Sequence, residues 1–188
     1  MFTSTLTLLD SKHHPLVHAE VTLLAPNGTY LVATSDSQGV ARLELPDDRE
    51  GTLVLTHPST PPGLHPHYKP LASQTFKLGY EAGVGSVLIK HGSGEVPGLR
   101  GRLNPIIDDL QRTYIYGDNL SFNDLPYQPY PFTVGVPFTV EDAHRHRFML
   151  TIHHVLGATS VIEYQRLEHE GSYLARENQG EGNQGFSV

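Results

Sequence analysis

The side chains that could do chemistry in this sequence are histidines, carboxylates and a group of tyrosines with arginines. Two pairs among its twelve histidines have the spacing His-x-His: His65 with His67, and His144 with His146. On a strand, residues two apart project from one face, as two ligands of a metal ion must. The first pair flanks Pro66 in a proline-rich stretch, and the second lies in DAHRHR, from Asp142 to Arg147, where two arginines oppose a cation. His153 and His154 are adjacent, so a strand sends them to opposite faces. No metal and no cofactor is therefore expected. Of the carboxylates Asp108, Asp109, Asp118, Asp124, Glu141 and Asp142, no two have a spacing that marks an acid–base pair. Asp118 acting with a loop histidine is the one hydrolytic arrangement they leave open. No Gly-x-Ser-x-Gly elbow occurs. The absence of cysteine excludes disulfides, thiol catalysis and Cys-type zinc sites.

Tyr114, Tyr116, Phe122, Tyr127, Tyr130 and Phe132 crowd into a short segment that also contains Arg112, with Arg100 and Arg102 just before it. They read either as a core with surface tyrosines or as a contact surface, because tyrosine and arginine are enriched at interface hot spots. The same rings could stack on sugars. The candidate binding residues are thus Tyr114, Tyr116, Tyr127, Tyr130, Arg100, Arg102 and Arg112, with His65 and His67 in the earlier loop.

Composition narrows the partners. The formal net charge of −7 argues against nucleic acid, which needs a basic face. No window approaches the ~20 apolar residues of a membrane span. The first residues lack a basic start and a signal-length apolar run, which predicts a cytoplasmic protein or one exported without a cleaved signal. A hydrophobic content of 38% is enough for a core, and 14 prolines with 18 glycines predict many turns and short elements.

The elements that must position these residues are strands. Leu6 and Leu8 alternate with Thr5 and Thr7. Ala19, Val21 and Leu23 alternate with Glu20 and Thr22, and Ala41, Leu43 and Leu45 with Arg42 and Glu44, the period-two pattern of half-buried strands. Pro26-Asn27-Gly28 is a tight turn. Asp36-Ser37-Gln38-Gly39 reads as a type I turn closed by a left-handed residue, its carboxylate accepting from backbone N–H groups. Residues 51–57 form a further strand, residues 58–71 an irregular proline-rich loop, and residues 73–80 and 84–92 two more strands. At most one short helix is expected, near Pro105 to Gln111. Strands then run through 138–140, 148–155 and 159–167, with turns at Asp142–His146 and Gly157.

The pattern P-L-x-x-A-x-V-T-L, then Asn27-Gly28, then T-S-D-S-x-G-x-A-x-L-x-L-P resembles a carboxypeptidase-regulatory-like or transthyretin-like (prealbumin-like) domain. Pro15, Leu16, Ala19, Val21, Leu23, Asp36, Gly39, Leu43, Leu45 and Pro46 carry the match, over about residues 3 to 90. The resemblance implies a seven-stranded β-sandwich that acts as an accessory, adhesive or docking module. Similar modules are attached to spike proteins of bacterial type VI secretion systems. Residues 98–167 resemble no family. The expected protein is all-β: a transthyretin-like sandwich over 1–90, a linker over 91–101, a smaller antiparallel sheet or barrel over 102–170, and a flexible tail over 171–188. Its expected role is a non-catalytic protein-interaction or assembly module, in bacterial secretion or at the cell surface, with a protein partner. A carbohydrate-binding or adhesive module, or a hydrolase using Asp118, are the alternatives.

Overall fold

The computed structural model describes residues 1–47 and 49–168, which form fifteen β-strands and no helix. Seven strands come first: β1 (Phe2–Asp10), β2 (Glu20–Leu24), β3 (Tyr30–Thr34), β4 (Val40–Leu45), β5 (Gly51–His57), β6 (Thr60–Tyr68) and β7 (Ser73–Leu78). They divide into a three-stranded sheet, β4-β1-β7, and a four-stranded sheet, β3-β2-β5-β6. Alternation decides which side chains meet between them. Leu6, Leu8, Ala41, Leu43 and Leu45 face Val21, Leu23, Leu53 and Leu55 in one buried core.

Eight more strands follow: β8 (Val84–Ile89), β9 (Leu103–Ile107), β10 (Thr113–Gly117), β11 (Leu120–Phe122), β12 (Tyr130–Pro131), β13 (Phe138–Asp142), β14 (Arg147–Leu156) and β15 (Thr159–Leu167). A five-stranded sheet, β11-β13-β14-β15-β8, packs on a three-stranded one, β12-β10-β9. Their common core contains Leu103, Ile115, Phe122, Phe138, Phe148, Leu150 and Ile162.

The two sandwiches are joined by a third, thinner apolar layer. Leu24 of β2 and Val54 of β5 point away from the first core, and Leu88 of β8 and Val161 of β15 point away from the second. These four meet in one buried cluster, with Tyr30 and Leu64 against it. Burying each aliphatic side chain stabilises by roughly 1.5–3 kcal/mol. Polar groups stitch the same seam. Lys90 Nζ donates to Glu20 Oε2 at 2.7 Å. Ser86 Oγ accepts from the His57 N–H at 3.0 Å and donates to the His57 carbonyl at 3.2 Å. The molecule is therefore four sheets deep, with β2, β5, β8 and most of β15 covered on both faces.

Several expectations change at this level. The chain passes into the second sandwich before Val84, since β8 pairs with β15 rather than with any strand of the first. Within residues 91–101, Val96 and Leu99 are buried in the second core and Gly94 bridges to Leu103. The proline-rich 58–71 stretch is largely a strand, β6. It hydrogen-bonds only to β5, so its prolines lie on an edge where a missing donor is tolerated. The expected helix at 105–111 is absent. Pro105 sits on β9, also an edge strand, and residues 108–112 form a turn. The tail expected over 171–188 lies outside the described residues.

Gly85 lies where the two sandwiches touch. A Cβ there would meet the Pro58 carbonyl oxygen of the β5–β6 turn and the Tyr164 ring at 2.5 Å. Gly28, by contrast, has a φ of +84° and open space around it. Gly85→Ala should lower unfolding free energy by about 1–3 kcal/mol through overpacking. Gly28→Ala should lose only about 1 kcal/mol, from the left-handed backbone. Urea denaturation of the two variants checks the order.

Candidate functional site

One turn is built four times among the described residues. Asp10, Asp36, Asp108 and Asp142 each open a five-residue turn in which Oδ1 accepts the backbone N–H groups two and four residues on. The backbone repeats as well. The aspartate carbonyl accepts the N–H three residues on, and the aspartate N–H donates to the carbonyl four residues on. The residue three on takes a positive φ every time: His13, Gly39, Gln111 and Arg145. Only one of them is glycine. In the other three, the carboxylate's hydrogen bonds offset the cost of about 1–2 kcal/mol for a side chain in the left-handed region. The N–H groups favour the ionised form. The largest influence is the backbone bond from His14 on Asp10, from Val40 on Asp36 and from Arg112 on Asp108, and all three carboxyls lie below their usual range.

What differs among the turns is the residue four on. At Asp108 it is Arg112, whose guanidinium closes back on the carboxylate. At Asp10 and Asp142 it is a histidine whose Nδ1 meets Oδ2, at 3.3 Å for His14 and 2.9 Å for His146. His14 is exposed, whereas the Asp142 side chain is fully covered and that of His146 largely so. Burial alone would push the Asp142 carboxyl up. The N–H of Arg100, the His146 ring, and the N–H groups of His146 and His144 outweigh it and hold the group well below the usual range. Asp142 is thus a permanent acceptor. The facing proton belongs to His146 Nδ1, and in the neutral ring Nε2 carries a free lone pair.

Two further groups complete this tip between β13 and β14. The His144 ring lies nearly parallel to that of His146, with centroids 6.1 Å apart and planes 12° apart. Arg100 Nη1 donates to His144 Nε2 at 3.2 Å. Among the described residues no carboxylate pairs with the Arg100 guanidinium, while Arg145 is held by Glu141 at 3.8 Å and Arg147 by both Asp124 oxygens at 3.0 Å. The tip therefore combines a buried anion, an imidazole oriented by it, a second imidazole and an uncompensated cation. Among the described residues, no three His, Asp or Glu side chains are placed to share a metal ion.

Of the binding residues expected from the sequence, only Arg100 belongs to this cluster. Arg102 is tied to Ser93 and Arg112 to Asp108. Tyr130 is packed inward, its ring stacked on Phe122 at 5.8 Å and its hydroxyl accepting from Asn123. Tyr114 and Tyr116 meet edge to face on β10, and Tyr127 stands exposed. His65 and His67 lie on the other sandwich. Burial against Phe76 lowers the His65 pKa, and His67 Nδ1 meets Glu50 at 2.7 Å. Asp118, in the β10–β11 turn, is on the opposite sandwich from both. Spacing between carboxylates does not single out Asp142. The signal that finds it is the turn pattern of Asp36 recurring at 142–146, with histidine in the fourth place.

No family model matches the chain, and no solved structure matches it. It is similar to the 3′ cyclic ADP-D-ribose synthase AaTIR of Aquimarina amphilecti, with 26% identity over 165 residues, 88% of this chain and 50% of that protein. The chain thus spans about half the length of the curated relative it matches. A stretch that long cannot lie within one sandwich, so the similarity runs through both. A relative that is an enzyme of nucleotide chemistry overturns the expectation of a non-catalytic assembly module for secretion or the cell surface.

The titrating groups predict a two-step acid profile. His65 and His154 have pKa values lowered from 6.5 by burial, and the four turn aspartates lie below 3.8. In both sets the folded state binds fewer protons than the unfolded one, so stability is full at high pH and falls on acidification. Melting temperature should begin to drop below pH 6.5 and fall more steeply below 3.8. Asp142→Ala should lose about 1.5–3 kcal/mol at neutral pH, the value of a hydrogen bond to a charged group, and should flatten the second step.

Proposed function

We propose that this chain acts in signalling by cyclised ADP-ribose, as part of an enzyme of the kind represented by its relative. The observation that supports this is the similarity extending through both sandwiches, which treats them as one unit rather than as an isolated module. The reaction class follows from the product's chemistry. Forming a cyclised ADP-ribose from nicotinamide adenine dinucleotide joins the anomeric carbon of the donor ribose to another position of the same molecule, breaks the bond from that carbon to nicotinamide, which leaves, and releases the proton of the attacking group. The transition state is oxocarbenium-like, so the step requires a stabilising anion and exclusion of water. The four turn carboxylates are already occupied by backbone N–H groups and are poor candidates for that anion. The contribution we assign to the two sandwiches is to hold and orient reaction components of this class, with the 142–146 tip as the most chemically equipped surface.

We also read the first sandwich as transthyretin-like. In support, its seven strands divide three and four, and the Asp36–Gly39 turn joins β3 of one sheet to β4 of the other.

The test is to incubate the natural protein that carries this chain with nicotinamide adenine dinucleotide, an ADP-ribose donor, and to separate the products by mass spectrometry. A product with the mass of cyclised ADP-ribose is expected. Recovery of the unchanged donor, or of linear ADP-ribose alone, would sink this reading.

A further inference from the structure

We infer that the 142–146 tip binds the terminal phosphate of a small soluble phosphate monoester, through Arg100, His144 and His146. The guanidinium supplies the charge. Arg100 has five N–H donors, of which one is used on His144, and no carboxylate neutralises it among the described residues. The carboxylates nearest in the turn do not compete for an anion's place. Asp142 is fully covered and engaged by three N–H groups and a ring, Glu141 is engaged by Arg145, and Asp124 by Arg147.

The imidazoles supply complementary groups. Because His144 Nε2 accepts from Arg100, its Nδ1 carries a proton and is a donor. Because Asp142 can only accept, the neutral His146 ring presents a lone pair at Nε2. One cation, one donor and one acceptor suit a singly protonated phosphate: its anionic oxygens accept from Arg100 and His144, and its P–OH donates to His146. A monoester, with a second pKa near 6, carries that hydroxyl in its monoanion, the main form below about pH 6, whereas a diester has no P–OH. Asp142 orients both the loop backbone and the His146 ring from beneath, and the two rings lie nearly parallel. This inference does not depend on the cyclised ADP-ribose reading, and its test uses no turnover.

Isothermal titration of the full chain with AMP, inorganic phosphate, 3′,5′-cyclic AMP and adenosine tests it. AMP and phosphate should bind saturably and compete with each other. The diester and the nucleoside should bind about tenfold more weakly or not at all. Arg100→Gln and His144→Ala keep the backbone N–H bonds to Asp142, so both should melt like the parent protein yet lose AMP affinity about tenfold or more. No saturable heat from millimolar AMP or phosphate would overturn the inference, as would equal binding by adenosine or unchanged affinity in either variant. Adsorption to vesicles containing phosphatidic acid without any binding of AMP or phosphate would overturn it in favour of a membrane headgroup.

Discussion

Four strands at the centre of this molecule, β2, β5, β8 and β15, have little face left for water, and the rest of the architecture follows from that constraint. A sheet covered on one side tolerates polar residues at every second position, but one covered on both sides does not. β2, β5, β8 and β15 carry Leu24, Val54, Leu88 and Val161 on the faces turned away from their own cores. Some polar residues on those faces are satisfied across the seam, as Ser86 is by the backbone of His57 and Glu20 is by Lys90. The seam also explains why the strand at 84–89 belongs with a partner far along the chain. Its two apolar faces are buried only if it pairs with β15 on one edge of the five-stranded sheet and lies over β5 and β6 at the same time.

The functional tip depends on a different device, a carboxylate that organises five residues of backbone. At Asp142 this device is buried, and its carboxylate gains a fourth hydrogen bond from outside its own loop, the N–H of Arg100. That bond ties the 96–102 segment to the β13–β14 hairpin. It brings the Arg100 side chain to His144, although more than forty residues separate them. The charge balance of the tip then rests on which carboxylates are already occupied, more than on how many are near.

Much of this was legible from residue pattern. The alternation of Leu6 and Leu8, of Val21 and Leu23, and of Ala41, Leu43 and Leu45 predicts the first core, and the turn at Asp36 is built as its sequence implies. The all-β class and the strands at 138–167 follow from the same reasoning. The helix expected at 105–111 and the loop at 58–71 fail for one shared reason. Proline weighs against strand only where the missing N–H would have a partner, and edge position is a property of topology, not of local sequence. The site was legible only in pieces. His144 and His146 stand out by spacing, and Arg100 by composition. Their meeting depends on the Asp142 carboxylate capturing a backbone N–H forty-two positions away, which no local pattern encodes.

The repetition of the aspartate turn has an evolutionary and engineering consequence. Its backbone hydrogen bonds are set by the first residue together with the left-handed residue three places on, while the residue four places on varies: here it is a valine, an arginine and, twice, a histidine. New chemistry can therefore be installed at a hairpin tip by a single codon change without remaking the loop. The same pentapeptides are interchangeable parts: one tip's side chains can be transplanted to another corner of the molecule while the register of the flanking strands is kept.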